Sequence, residues 1–528
     1  MMFRRLARVI APVSLAIAAM AGSASAEERV LRVSLNTELQ VLDPIVTTIN
    51  ATRVFSYLVF DQLFAIDGEG NYRPQMVESY TVSDDRLTYT FRLREGLEFS
   101  DGNPVTAEDV VASIRRWAQR EALGVQIMRQ AEGLHVVDER TFQLKLRTPY
   151  AYVIEALGKP GNVIPVIMPA RLANLPASAA VPEVVGSGPF LFDRAAWRPG
   201  ERATFRRNPR YRPRSEPASG LAGGKVVHFD RVDLISLPDQ STRVAALQAN
   251  EVDYLEIIAA DYIEPMRRNP NITIARPRGA GQIMSIVSLN HAQPPFNNPA
   301  IRRAAQLALN QEEVVASIGL PPELYLRECH SLYMCGTAGQ SDAGAGIFRN
   351  AGTERARQLL REAGYDNEPV VFLHSESSAL LNPMGLVIAD QMKRAGFNVQ
   401  MATSDYATVA QRRLNRGPVT AGGWSMVNII WNGIDLVNPL ANPGVAYNCA
   451  QHYSGWYCDE RQTDLLRRLA GAPSAEERQR LANELQAAFH ENVNYILGGQ
   501  FSAPAAYRSE LRDVIEFPIP IFWNMSRR

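Results

Sequence analysis

The side chains in this chain that could do covalent chemistry do not assemble into a catalytic pattern. Gly186-Ser187-Gly188 sets a serine among glycines, but the strained elbow that exposes a nucleophilic serine needs a glycine two residues before it, and none is there. His490-Glu491 begins like the helical zinc motif, in which two histidines one turn apart share a face. Asn494 occupies the second ligand position. His330 follows Cys329 with no further ligand at metal-binding spacing, and the chain has no C-x-x-C pair. Neither a phosphate-cradling glycine loop nor a dinucleotide fingerprint occurs. These absences predict a protein that is not an enzyme and carries no metal or cofactor.

What the four cysteines do depends on compartment, and the first residues address that. Arg4, Arg5 and Arg8 make a basic start, an apolar run extends from Val9 to Ala21, and small residues lead to Ala24-Ser25-Ala26 before Glu27-Glu28. Those are the three parts of a secretory signal peptide, expected over 1–26. The apolar run is short of the roughly 20 residues that a spanning helix needs, which argues against a membrane anchor. The Arg4-Arg5 pair sits in surroundings that fit twin-arginine export poorly, and no cysteine lies near the cleavage site to carry a lipid. In an oxidising compartment, Cys329 with Cys335 and Cys449 with Cys458 are expected to form two local disulfides, chosen among three connectivities because the loops they close are short.

The composition is that of an ordinary globular protein, with 46% hydrophobic and 21% charged residues. Without the three leader arginines, 52 basic face 55 acidic side chains, a net charge of about −3. No basic face for nucleic acid is implied. No later apolar stretch is long enough to span a bilayer. About 500 mature residues exceed what one core holds, so two or three lobes are expected.

The elements that must position any site alternate strand and helix. Leu31 to Leu35 alternates like a strand, Asn50 to Phe64 carries a helical apolar pattern, and Leu87 to Leu93 alternates again before a turn at Ser100 to Pro104. Thr106 caps a helix, with Asp109 completing a capping box. Pro299 suits the first turn of a helix carrying Ile301, Ala304, Ala305 and Ala308 on one face. Helices are also expected from Thr353 to Gly364 and from Pro383 to Lys393, the latter followed by a strand at Asn398 to Met401. Such strand–helix–strand order indicates α/β lobes.

From Val41 to Trp117 the sequence resembles the periplasmic oligopeptide-, dipeptide- and nickel-binding proteins of ABC importers, family 5 of the solute-binding proteins. The matching pieces are Leu42-Asp43-Pro44, Leu63 to Gly70, Pro74 to Tyr80, Ser83 to Arg94 and Phe99 to Val110. Later pieces keep the order: Gly186 to Phe190, Asn208 to Tyr211, Glu251-Val252-Asp253, Pro295 to Ala308, Gly396 to Val399 and the Gly423-Trp424 step. The resemblance implies an α/β, type II-like periplasmic binding protein with two ligand-gripping lobes, a hinge and an extra small lobe. The first lobe would comprise 27–64, 185–285 and 500–528, the extra lobe 65–184, and the second gripping lobe 286–499. It also implies capture by lobe closure and delivery to an ABC permease of the inner membrane. A monomer is expected.

In peptide-binding relatives an aspartate three residues after the Gly-Trp tryptophan takes the peptide amino group, and in some an arginine three residues before it takes the carboxylate. Here those positions are Val427 and Ala421. The remaining segment, Trp424, Ser425, Met426, Val427, Asn428, Trp431 and Asn432, would line the pocket with apolar and amide groups, suiting a neutral or amphipathic solute or a peptide-like ligand with altered ends. Trp431 could equally be a core aromatic, a reading that suits Trp424 less because of the Gly-Trp motif. From the first lobe, Thr48, Ile49 and Asn50 lie where relatives offer an edge to an extended ligand. Tyr447, His452, Tyr453, Trp456 and Tyr457 around Cys449 and Cys458 form either a cleft-lining loop or a satellite core. A peptide-like solute ranks first, followed by opine-like compounds and oligosaccharides. A chaperone or signalling protein with a degenerate cleft is the competing class.

Overall fold

The computed structural model describes residues 28–528 apart from 162, 238, 451 and 452; the expected signal segment and His452 lie outside the described residues. Three main sheets organise the chain. The seven-stranded sheet runs Ile272–Ile274, Ala506–Arg508, Tyr254–Leu255, Val30–Ser34, Arg231–Ile235, Arg202–Arg207, Phe190–Arg198. A five-stranded sheet runs Asn398–Ser404, Pro369–Ser375, Met426–Asn432, Ile283–Leu289, Tyr495–Phe501. Four antiparallel strands, Val77–Val82, Thr88–Leu93, Thr141–Leu146 and Ala131–Val136, make the extra lobe.

The five-stranded sheet contains the strand–helix–strand unit legible in the sequence. Pro369–Ser375 and Asn398–Ser404 pair in parallel across the helix Leu381–Arg394, and Ile283–Leu289 is buried at six of its seven positions. A strand covered on both faces reads as a near-continuous apolar run rather than an alternation. Local stops also follow the sequence. Thr106 and Asp109 exchange both bonds of a capping box, and the Asn298 side chain accepts from the Ala300 amide ahead of Pro299. Among the described residues no helix is long and apolar enough to cross a membrane. Cys329 is bonded to Cys335 and Cys449 to Cys458.

Strand membership moves three of the expected limits. Ile283–Leu289 and Tyr495–Phe501 lie whole in the five-stranded sheet, and Phe64–Ile66 pairs with Tyr72–Pro74, so limits at 285/286, 499/500 and 64/65 would each cut a strand through its hydrogen-bond ladder. The chain passes between the two large sheets at 275–282 and again at 502–505. These passages lie side by side: Ile274 pairs with Ala506 at one end and Ile283 with Phe501 at the other. Between them the Ala275 amide donates to the Ala505 carbonyl (2.9 Å), and the Ser502 hydroxyl accepts from Gln282 Nε2 (3.1 Å) while donating to the Pro277 carbonyl (2.7 Å).

A buried ion pair ties the extra lobe to the first. Asp43 accepts both ends of the Arg116 fork (3.2 and 2.8 Å), with side chains 0% and 2% exposed, and it also accepts from the Val181 amide at 2.9 Å. Removing one partner leaves a buried charge unpaired, which costs about 3–5 kcal/mol. Asp43→Ala is therefore expected to lower the urea midpoint of unfolding by that equivalent, and an unchanged midpoint would show that the pair holds nothing together.

Candidate functional site

Two cavities lie where the lobes face each other. The helix Asn50–Val59 opens at the smaller one, of about 220 Å³. Its first residue and the residue one turn on, Asn50 and Arg53, share a face and line the wall. Glu256, just beyond the strand Tyr254–Leu255, completes this side. The Asn50 amide links the two charges, its Oδ1 accepting from Arg53 Nη2 and its Nδ2 donating to Glu256. Glu256 also accepts from the Asn36 amide at 2.7 Å, and Arg243 donates to the Asn36 side chain at 3.1 Å. Arg53 is 5% exposed, yet its Nε and Nη1 have no hydrogen-bond partner. The opposite wall, from the five-stranded lobe, is Ile283, Leu380, Ile430 and Asn432.

The larger cavity, of about 920 Å³, is bounded by the extra lobe (Tyr72, Tyr152, Glu155), the second lobe (Tyr333, Asn438, Arg478) and the passage around Gly279. Gly279 has φ +54°, and a Cβ there would stand 2.9 Å from the Gly336 carbonyl oxygen, so only glycine lets this floor close. Pro277, Gly281, Glu516, Phe517 and Pro518 line both cavities. The Tyr333 hydroxyl is buried without a partner. Burial pushes the Glu155 and Glu256 carboxyls up. At Glu256 the bonds from Asn36 and Asn50 and the nearby Arg53 and Arg243 charges oppose that rise.

The residues singled out in the sequence divide. Asn50 and Asn432 face each other across the small cavity. Thr48 is exposed and lines neither cavity. Trp424 to Asn428 also line neither: Met426 to Asn428 open the central strand of the five-stranded sheet, Trp424 and Ser425 lead into it, and all five are buried. Trp424 is 0% exposed, donates Nε1 to the Arg413 carbonyl and packs against Trp456. The Ser425 hydroxyl accepts from the Val371 amide, Met426 and Val427 are core residues, and Asn428 Oδ1 accepts from Ser285. Trp431, half-buried, packs edge-on against Tyr495. Tyr453 stacks on Tyr447 and meets Tyr457 edge-on beside the Cys449–Cys458 bridge, and none of the three lines either cavity.

Arg53 and Glu256 were missed. Arg53 is the one charged residue in Asn50–Val59, flanked by Val54, Phe55 and Leu58, and Glu256 follows Leu255 and precedes Ile257-Ile258. A lone charge inside an apolar element is a signal that the sequence does carry.

The model for bacterial extracellular solute-binding proteins, family 5, middle, matches residues 71–451. The chain belongs to this family. A probable peptide ABC transporter periplasmic-binding protein of Sinorhizobium fredii is 35% identical over 511 residues, covering 96% of this chain and 95% of that one. The glutathione-binding protein of Escherichia coli O1:K1 is 26% identical, covering 78% and 77%. Among solved structures, a periplasmic binding protein of A. tumefaciens R10 in complex with agropinic acid superposes with a TM-score of 0.74 at 22% identity, over 94% of this chain and 99% of its own. A Pseudoalteromonas dipeptide-binding protein in complex with Met-Leu gives 0.76 at 17%, over 95% and 100%. The fold of this family 5 protein is therefore that of the type II periplasmic binding proteins.

Because the folded state raises the Glu256 pKa, protonation of Glu256 favours folding. That contribution is present below its ordinary value of 4.5 and is lost as pH rises through the folded value. Glu256→Gln is expected to gain melting temperature relative to the parent as pH goes from 4 to 7, and a pH-independent difference would count against this assignment.

Proposed function

We propose that this chain is the periplasmic binding component of an ABC-type importer, holding a peptide-like or other small organic solute between its lobes and handing it to a permease of the inner membrane. The observation that carries the reading is the pair of cavities walled by both lobes and sharing five residues beside the two backbone passages. The larger one, of about 920 Å³, lies within the size range of small-molecule sites, and the smaller one adjoins it. Closure would complete a wall that neither lobe provides alone, so that ligand contacts favour the closed form. The chain acts as a monomer after removal of its leader, performs no catalysis and binds no nucleic acid. The names of the Sinorhizobium and Escherichia relatives favour peptide-like cargo.

Native mass spectrometry of the exported protein, purified without refolding, is the direct test. A co-purifying mass that disappears on denaturation is expected. Adding that compound back to stripped protein at about a hundred times its Kd is expected to stabilise the fold by about 2.7 kcal/mol, read as a rise in melting temperature. A clean spectrum together with no stabilisation by peptide, opine or sugar libraries would overturn the transport reading and favour a degenerate cleft.

A further inference from the structure

The small cavity has an uneven charge distribution. Every charged side chain in its wall comes from the seven-stranded lobe or from the segment after its last strand: Arg53, Glu256 and Glu516. The five-stranded lobe contributes three aliphatic side chains and the Asn432 amide. Arg53 is the one cation of this wall, and most of its N–H groups are unmet, since only Nη2 finds an acceptor, the neutral Asn50 amide. A guanidinium held this far from water with open donors is a costly arrangement in a finished core. Lys225 meets Asp61, and Arg116 meets Asp43 through both ends of its fork with only Nε left open, whereas Arg53 meets no carboxylate among the described residues. The helix Asn50–Val59 begins at the same wall, and its first turn adds positive potential.

We infer that Arg53 is the anchor for a carboxylate of the transported solute, so that the cargo is a carboxylic acid whose remaining bulk lies against Ile283, Leu380 and Ile430 or extends past Phe517 into the larger cavity. Glu256 and Glu516 sharpen this class. A phosphate, with nearly two negative charges, would meet two carboxylates in the same small space. A single carboxylate flanked by N–H or O–H groups satisfies Arg53 and offers donors to Glu256. The anchor stands on the lobe opposite to Val427 and Ala421, so the cleft gains an ionic contact without charge on the second lobe. Ionic capture then precedes closure of the neutral wall. This rests on the transport reading above.

The test uses the full mature protein with three probe libraries: small carboxylic acids (tripeptides, N-acyl amino acids, hydroxy acids and sugar acids), the primary amides of the same compounds, and sugar phosphates. Binding is read by native mass spectrometry and calorimetry. Acids are expected to bind at least about tenfold more tightly than their amides. Arg53→Gln is expected to remove that preference, and Arg53→Lys to keep the preference with weaker binding, because it retains charge but not the fork. Arg53→Lys also serves if Arg53→Gln fails to fold. Equal binding of acids and amides, a preference for phosphates, or an acid preference that survives in Arg53→Gln would overturn the inference while leaving transport intact. Failure of all three libraries, alongside a co-purified ligand without a carboxylate, would do the same. Absence of any ligand would instead remove the transport reading beneath it.

Discussion

Two short stretches of backbone, 275–282 and 502–505, join the seven-stranded and five-stranded sheets, and they run side by side. Everything the cleft does depends on this constraint. The two links are hydrogen-bonded to each other through Ser502 and the Ala275 amide, so the sheets are joined along one short seam. Both cavities are bordered by the first link, through Pro277 and Gly281, and the smaller one also by the second, through Ala503 and Ala505.

The lobes divide the work of recognition. Charged groups stand on the side built from Asn50–Val59 and Tyr254–Leu255, where the Arg53–Asn50–Glu256 chain holds opposite charges apart with one amide between them. The other side is aliphatic apart from Asn432. A neutral wall can close over a charged one without the desolvation cost that two facing charged walls would carry. The sequence had shown the lack of charge on the second lobe at Val427 and Ala421. The structure adds that Trp424 to Asn428 are buried at the start of the central strand, while Ile430 and Asn432 at its far end line the cavity.

The fold was legible wherever a local rule sufficed. The capping box at Thr106, the proline-led helix at Pro299 and the parallel unit around Leu381–Arg394 all follow from spacing that needs no distant partner. Strand limits were less legible, because Ile283–Leu289 looks the same whether it ends one sheet or begins the next. Its pairing with Met426–Asn432 and Tyr495–Phe501, both distant in sequence, decides that. The site was half legible. Asn50 and Asn432 could be named from family position; Arg53 was signalled only as the lone charge of an apolar helix, and that it is buried beside Asn50 and lines the cavity appears only in the fold.

Since Ile283 and Phe501 are neighbours in the same ladder, the entire five-stranded lobe enters and leaves the molecule through one doorway. It is an insertion cassette: its two ends are already as close as adjoining strands require, so exchanging it for another lobe asks nothing of the seven-stranded sheet beyond accepting the same pair of ends. The aliphatic wall can therefore drift or be transplanted as a block, while Arg53 and Glu256 on the seven-stranded side stay as they are. A molecule wired this way diversifies by module, one wall at a time.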